Sequence, residues 1–167
     1  MSKKKHNQSS KSNSKLLNVL GPTWLWLVPS VALVIKLIVI SNIQDHIWLG
    51  ADGENYLSGV DGLIKDGIFS KEGKLQYWPA GYPIIIWLFA KISITNALML
   101  LSILQSLLFA FATWYFVKHL LHTRIHSLLP WVIILINFNP TLALSSLPIG
   151  YESLAASFLL ISIGILW

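Results

Sequence analysis

Long apolar runs separated by polar segments set the pattern of this chain. Apolar residues dominate from Thr23 to Ile43, Ala97 to Val117, Leu128 to Leu147 and Ser153 to Trp167. The first three runs approach the ~20 residues that a helix needs to cross ~30 Å of hydrocarbon. Because lipid offers the backbone no hydrogen-bond partners and no run alternates like a barrel strand, they predict transmembrane helices. Lys36 is costly within such a span, so we expect it to face other helices or to snorkel.

The segment between the first two runs, residues 44–96, is polar and predicts helices that do not cross. Leu57, Val60 and Ile64 recur on one face of an amphipathic stretch, and Gly67 follows as its C-terminal stop. This stretch is too short and too charged to span a bilayer. We therefore expect an interfacial helix in an outer loop.

Two further apolar pieces fall below the ~17 residues of the shortest spans. One piece, Ile84 to Ile92, follows a turn that Pro79 and Pro83 bracket. The other is the last run, Ser153 to Trp167, where the given sequence ends. We therefore expect residues 21–167 to be the N-terminal part of a longer transmembrane domain, and the chain alone to be inactive.

Composition agrees with a membrane protein. Of 167 residues, 54% are hydrophobic and 11% charged, against about 25% charged residues in an ordinary soluble domain. The net charge is +5, but lysines concentrate in a Ser/Asn-rich arm, residues 1–20, directly before an apolar run. A basic cluster in that place is an orientation signal, so no nucleic-acid partner is expected. The chain has no cysteine, which excludes disulfides and thiolate metal sites.

The two basic clusters predict the orientation of the helices. The arm places the N-terminus in the cytoplasm, and the cluster from Lys118 to His126 should share that side. Both conditions hold if Ile84–Ile92 does not cross. The polar segment 44–96 and Glu152 then lie together outside a multi-pass protein of the cell membrane. If Ile84–Ile92 did cross, Glu152 would be cytoplasmic.

Two short motifs flank the amphipathic stretch: Asp52-Gly-Glu-Asn-Tyr56 opens it, and Pro79-Ala-Gly-Tyr-Pro83 comes after it. Their order resembles the first outer loop of the C-type glycosyltransferases, which include protein O-mannosyltransferases and aminoarabinose transferases. That loop has an Asp, a Tyr four residues on, a helix ending at Gly and a proline-rich Gly-Tyr-Pro turn. The matching residues are Asp52, Tyr56, Gly67, Pro79, Gly81, Tyr82 and Pro83, and Glu152 matches the acidic residue of the second outer loop.

The resemblance, over about residues 20–167, implies an all-α polytopic membrane bundle with interfacial helices in the first outer loop. It implies transfer of a sugar from a polyprenyl-phosphate carrier to an acceptor outside the membrane. Asp52 would be the catalytic base, and Glu152 would help to hold the acceptor or, with Asp52, a divalent metal ion. The implied partners are membrane lipid, the lipid-linked sugar donor and an acceptor that the sequence does not identify.

The same loop supplies candidates for substrate binding. Trp78 stands where the family commonly has a basic residue, and Ala80 replaces the second proline. The contact to the carrier phosphate is therefore left unassigned, with Lys74 and Lys71 as substitutes for the missing basic residue. The candidate substrate-binding residues are Glu54, Tyr56, Lys74, Trp78 and Tyr82. The rings of Trp78 and Tyr82 could stack on a sugar or anchor the loop at the interface.

Other interpretations of these residues stay open. Asp52 could serve only as a helix N-cap, and Glu152 only as a first-turn acid stabilised by the helix dipole. His119, His122 and His126 have a spacing suited to metal ligands, but basic residues are also expected at the end of a span. The competing class is a non-enzymatic small membrane protein, such as a transporter fragment or an assembly subunit.

Overall fold

The computed structural model describes residues 22–43, 53–67, 70, 81–121, 123–145, 147 and 150–166, and the regular structure in these ranges is helical. The all-α class is thus confirmed for the described part of the chain. The helices, in chain order, are α1 Thr23–Ile43, α2 Gly53–Asp66, α3 Gly81–Ile92, α4 Ala97–Leu120, α5 Leu129–Phe138, α6 Pro140–Leu144 and α7 Glu152–Leu166, with a 3-10 turn over His126–Leu128.

Helices α1 and α4 are long and apolar enough to cross a membrane. They have 21 and 24 residues respectively. Helix α4 extends beyond the predicted end at Val117 as far as Leu120. Helix α3 has 12 residues, which is too short for a span, as the sequence predicts.

The predicted span over 128–147 is not one helix. Asn139 leaves the helical conformation, with φ −62° and ψ 123°, between α5 and α6. The following Pro140 disfavours helical geometry in the residue before it. The Asn139 side chain then caps α6, because its Oδ1 accepts hydrogen bonds from the backbone N–H of Thr141 at 3.0 Å and of Leu142 at 3.2 Å.

Helices α1 and α4 run antiparallel. Leu25, near the start of α1, packs in one cluster with Val117 and Leu120 at the end of α4 and with Leu129 and Ile133 of α5. The start of α1 and the end of α4 therefore lie at the same end of the molecule. We call it the basic end, defined by Lys118, Arg124 and His126.

Lys36 faces the protein, as the cost of an exposed charge in lipid predicts. Its side chain is 6% exposed. The Nζ atom lies 4.3 Å from the centroid of the Phe109 ring on α4. A cation over an aromatic face is attracted by the ring quadrupole, so this contact offsets part of the desolvation cost.

Helix α3 packs on α4 at the opposite end, and α2 packs on α3. Tyr56 and Val60 of α2 pack with Tyr82 and Ile86 of α3 and with Leu101 of α4. The predicted apolar face of α2 was partly wrong. Val60 is buried, but Ile64 is 46% exposed and Leu63 is buried instead. The face shifts because Tyr56, rather than Leu57, is the large side chain that the neighbouring helix α3 covers.

Glycine and proline delimit these short helices. Gly67 follows α2 with a φ of +72°, the left-handed conformation that glycine adopts without steric cost, and so acts as the predicted stop. Pro83 lies within the first turn of α3 and not at the edge of a turn before it. Proline is tolerated there, because the first N–H groups of a helix have no intrahelical acceptor.

Close packing of α4 against α7 depends on small residues. Ser153, Ser157 and Gly164 form the buried face of α7 together with Leu154. A Cβ atom at Gly164 would lie 3.0 Å from two carbons of the Tyr115 ring and 3.4 Å from the Phe116 Cα. Small residues let helix backbones approach closely where lipid surrounds them.

Gly164→Leu should therefore force α7 away from α4. We expect a loss of about 1–3 kcal/mol in unfolding free energy, the usual cost of overpacking, measured by denaturant unfolding in detergent micelles. Ser162→Leu is the matched control: Ser162 is exposed on the same helix, so stability should change by less than ~0.5 kcal/mol. Equal losses in both variants would contradict the packing argument.

Candidate functional site

A polar cluster lies where α2, α3, α4 and the residues before α7 meet. We call it the Tyr82 cluster, defined by Tyr56, Tyr82, Gln105, Gly150 and Glu152. Each residue comes from a different element or from the entry to one, and Tyr82 and Gly150 are 68 positions apart in the sequence. The fold therefore brings Tyr82, a member of the proline-rich motif, next to the acidic residue that opens α7.

Hydrogen bonds to one phenolic oxygen organise the cluster. The Tyr82 Oη accepts a bond from Gln105 Nε2 at 2.7 Å and another from the Gly150 N–H at 3.0 Å. Gln105 Nε2 also donates to the Gly150 carbonyl oxygen at 2.9 Å. Because a carbonyl oxygen only accepts, the amide group of Gln105 has its nitrogen on this side. The hydroxyl proton of Tyr82 is left to donate to a further acceptor.

A second tie holds the same segment. Ser102, one turn before Gln105 on α4, donates from Oγ to the Leu147 carbonyl oxygen at 3.1 Å. Ser102 and Gln105 of α4 thus both bind the backbone of the segment that precedes α7. Polar residues in an otherwise apolar helix act in this way because buried backbone groups need partners.

Two buried polar atoms beside the cluster have no hydrogen-bond partner among the described residues. They are Gln105 Oε1 and Ser153 Oγ, and both side chains are 0% exposed. An unsatisfied buried polar atom costs about 1–3 kcal/mol. Such atoms therefore suggest a place where a polar ligand or water completes the network.

Glu152 is the exposed member of the cluster. It is the first residue of α7, where the helix dipole favours a negative charge. Its carboxylate folds back over Gly150, where a Cβ atom would collide with Oε2. The glycine thus leaves the room that the carboxylate occupies, and no described residue bonds to that carboxylate.

Burial and charge both keep the Tyr82 hydroxyl protonated. Its pKa rises to about 12, chiefly because burial disfavours the charged phenolate. The negative charge of Glu152 and the neighbouring Tyr56 also raise this pKa, while the hydrogen bonds from Gly150 and Gln105 lower it. Tyr82 is therefore a hydrogen-bond donor throughout the physiological pH range.

Two of the aromatic residues expected to bind substrate, Tyr56 and Tyr82, are packed in the interior. Tyr56 is 2% exposed and Tyr82 5% exposed. Their rings meet edge to face, with centroids 4.9 Å apart and planes at 62°. Stacking of a sugar on the Tyr82 ring, which the sequence suggested, does not fit this packing, because the ring face is already covered. What Tyr82 offers is its hydroxyl group.

The remaining predicted site residues divide into two groups. Glu54 is exposed in the first turn of α2, two residues before Tyr56. Asp52, Lys74 and Trp78 lie outside the described residues, and so does Lys71. The structure therefore brings Glu152 together with Tyr56 and Tyr82, and the role of Asp52 stays a prediction from the sequence.

Metal binding by histidine finds no support in the described part of the chain. His119 Nδ1 lies 2.8 Å from the Tyr115 carbonyl oxygen one turn earlier, and His122 is outside the described residues. Among the residues that the structure describes, no three His, Asp or Glu side chains come together as ligands.

Gln105 was missed in the sequence analysis. Its signal was present, because a buried amide in an apolar span is expensive and commonly functional. The length and hydropathy of the run from Ala97 to Val117 predict a transmembrane helix, but they do not distinguish one polar side chain within it. The partners of Gln105 are more than twenty positions away on both sides, so its contacts could not be inferred from local sequence.

Comparison of the chain with protein-family models, with curated proteins and with solved structures gives no match.

Removing the Tyr82 hydroxyl should destabilise the cluster in a pH-dependent way. In Tyr82→Phe the buried Gly150 N–H loses its acceptor, so we expect a loss of about 1–3 kcal/mol at neutral pH. The pKa of Tyr82 in the folded protein, about 12, exceeds the ordinary value of about 10. The stabilisation of the wild type by the protonated Tyr82 hydroxyl is therefore fully present below pH ~10 and is lost as the pH rises to ~12. Unfolding in detergent across that range measures both effects.

The matched control is Tyr151→Phe, since Tyr151 is 52% exposed. This variant should keep both the neutral-pH stability and the alkaline decline of the wild type. An unchanged alkaline decline in Tyr82→Phe would show that another group causes it.

Proposed function

We propose that this chain belongs to an integral-membrane glycosyltransferase that moves a sugar from a polyprenyl-phosphate carrier to an acceptor at the outer membrane face. One observation carries the proposal. The family pattern that this chain resembles has a Tyr in the first polar loop and an acidic residue at the start of a later helix. The corresponding residues of this chain, Tyr56 and Glu152, both lie beside Tyr82. This juxtaposition is what a shared site between the two loops requires.

The chemistry of the Tyr82 cluster suits a hydroxyl-bearing ligand. It offers a protonated phenol from Tyr82, an amide oxygen from Gln105, a hydroxyl from Ser153 and an exposed carboxylate from Glu152. Sugars present closely spaced groups that both donate and accept hydrogen bonds. Sites built to bond such hydroxyls discriminate strongly, because their own polar atoms are otherwise left unpaired.

Two carboxylates have separate roles in the proposed reaction. Asp52 takes the proton from the acceptor hydroxyl. The acceptor oxygen bonds to the anomeric carbon of the sugar, and the bond between that carbon and the phosphate oxygen breaks. Polyprenyl phosphate leaves with the electron pair. Glu152 orients the acceptor. Its carboxylate is available for this role, because it makes no bond to a described residue.

A divalent cation would fit the same pair of carboxylates, since Mg²⁺ is commonly held by one or two carboxylates with substrate phosphates. Asp52 and Glu152 would be its protein ligands, and its charge would neutralise the leaving phosphate. Glu152 satisfies the requirement of an accessible oxygen ligand at the site, because its side chain is exposed.

The proposed orientation has the basic end in the cytoplasm and the Tyr82 cluster outside. The packing of Leu25 against Leu120 puts the start of α1, which follows the lysine-rich arm, beside Lys118. Positive residues concentrate on the cytoplasmic side of membrane proteins. Both basic segments satisfy that rule only in this orientation, and α3 then stays on the outer side.

A second candidate function, transport, is favoured by two features of the membrane-spanning region. Lys36 is buried in α1, and the helix after α4 is interrupted at Asn139. Transporters commonly bind substrate at broken helices near the midplane. Lys36→Met separates the two functions, because a transporter would need this charge and the transferase would not.

Changing either carboxylate to its amide should strongly reduce sugar transfer. Asn caps a helix about as well as Asp, and Glu152 is exposed, so Asp52→Asn and Glu152→Gln should both insert normally. General-base catalysis contributes about 10²–10⁴-fold, so we expect transfer to fall at least ~100-fold for Asp52→Asn. Glu152→Gln, which removes an orienting charge, should lower it by about tenfold or more. The measurement is sugar transfer from labelled polyprenyl-phosphate donor in membranes of cells edited at the chromosomal gene.

Asp61→Asn, on the exposed face of α2, and Lys36→Met are the controls and should retain transfer. Near-normal transfer by Asp52→Asn would leave Asp52 as a helix cap and make Glu54 the residue to test. If Lys36→Met alone removed function while both amide variants kept it, the transport function would be favoured.

Single cysteines should report the proposed orientation, because the chain has none of its own. Cysteine at Asp61 or Tyr151 should react with a membrane-impermeant maleimide in intact cells, and cysteine at Ser127 only after permeabilisation. All three positions are exposed in the structure. Opposite labelling of positions 61 and 151 would separate α2 from the start of α7 and contradict the shared site.

A further inference from the structure

An open apolar groove runs between α1 and α4, away from the Tyr82 cluster. Its volume is about 460 Å³. One wall is formed by Trp26, Ser30 and Leu33 of α1, and the other by Ala110 and Trp114 of α4. This volume falls within the ~300–1,000 Å³ of small-ligand sites.

The groove follows from the residues that line it. Pro29 and Ala110 are compact side chains in its lining, whereas Trp26, Phe111 and Trp114 are large rings. Trp26 is 43% exposed and Phe111 50% exposed. The rings therefore form walls that the helix pair itself does not cover.

A cation stands at one end of this groove. The Lys118 Nζ lies 4.8 Å from the centroid of the Trp114 ring, one helical turn after it on α4. Arg124 and His126 follow at the same basic end. An occupant that complements both features has an extended apolar chain and a negatively charged head.

We infer that the groove binds one anionic phospholipid, with an acyl chain between Trp26 and Trp114 and the phosphate at Lys118. Basic pockets between transmembrane helices bind anionic headgroups in this way. A second copy of the chain fits less well, because a stable dimer buries about 1,200–2,000 Å², whereas the groove, at about 460 Å³, has the volume of a small-ligand site. This site is separate from the proposed sugar-transfer site and does not depend on that function.

Lipid titration of the purified full chain in mild detergent tests the inference. The thermal unfolding midpoint is followed while dioleoylphosphatidylglycerol or dioleoylphosphatidylcholine is added. We expect saturable stabilisation by the anionic lipid at a concentration about fivefold or more below that needed for the neutral lipid, since each basic residue near a headgroup contributes a factor of this order. Lys118→Gln should remove this preference.

Filling the groove should block both lipids. Ala110→Phe and Ser30→Phe place a ring in it from opposite walls, so the argument does not depend on the folding of one variant. Arg124→Gln is the charge control, because Arg124 is exposed at the basic end, whereas Lys118 lies over the ring of Trp114, which lines the groove. It should keep the preference for phosphatidylglycerol.

Three results would overturn the inference. Equal loss of preference in Arg124→Gln and Lys118→Gln would indicate general surface charge. Unchanged lipid binding in both groove-filling variants would place the lipid elsewhere. Stabilisation by undecaprenyl phosphate at lower concentration than by phosphatidylglycerol, lost in Lys118→Gln, would make the polyprenyl carrier the occupant.

Discussion

The hydroxyl group of Tyr82 is the contact on which the arrangement of the site depends. It accepts hydrogen bonds from α4 and from the backbone before α7, while its ring packs against Tyr56 of α2. Because Gly150 is only two residues before Glu152, fixing its N–H also fixes the start of α7. The position of the exposed carboxylate relative to the first polar loop therefore follows from one buried phenol.

Charge is distributed unequally between the two ends of the molecule. Glu54 and Glu152 lie in the first turns of α2 and α7, near the Tyr82 cluster, and Lys118, Arg124 and His126 lie at the basic end. The two acids at helix starts and Lys118 in the last turn of α4 agree with the helix dipoles, since acids are favoured at helix starts and cations at helix ends. The same separation of charge would orient the protein in a membrane. The placement of charged residues that stabilises the helices therefore also favours one orientation.

The sequence predicts helices better than it predicts their partners. Apolar length placed α1, α4 and α7 to within a few residues, and Gly67 ended α2 as expected, because these features depend on neighbours in the chain. The break at Asn139 had a local signal, an Asn before a Pro, which the apolar run obscured. The buried face of α2 and the role of Gln105 depend on residues far away in sequence, so periodicity could not reveal them.

Helix α4 shows why hydropathy alone hides function in a chain of this kind. The helix contacts α1, α3, α5 and α7 and exposes the apolar side chains of Leu104, Leu107 and Phe111, so it is apolar all round. Its faces nevertheless differ in chemistry: Ser102 and Gln105 bind backbone next to the Tyr82 cluster, while Ala110 and Trp114 shape the groove toward α1. The distinction lies in side-chain size and hydrogen-bonding capacity, and a hydrophobic average removes both. One helix can therefore support a polar site at one level and an apolar groove at another without any change in its mean hydropathy.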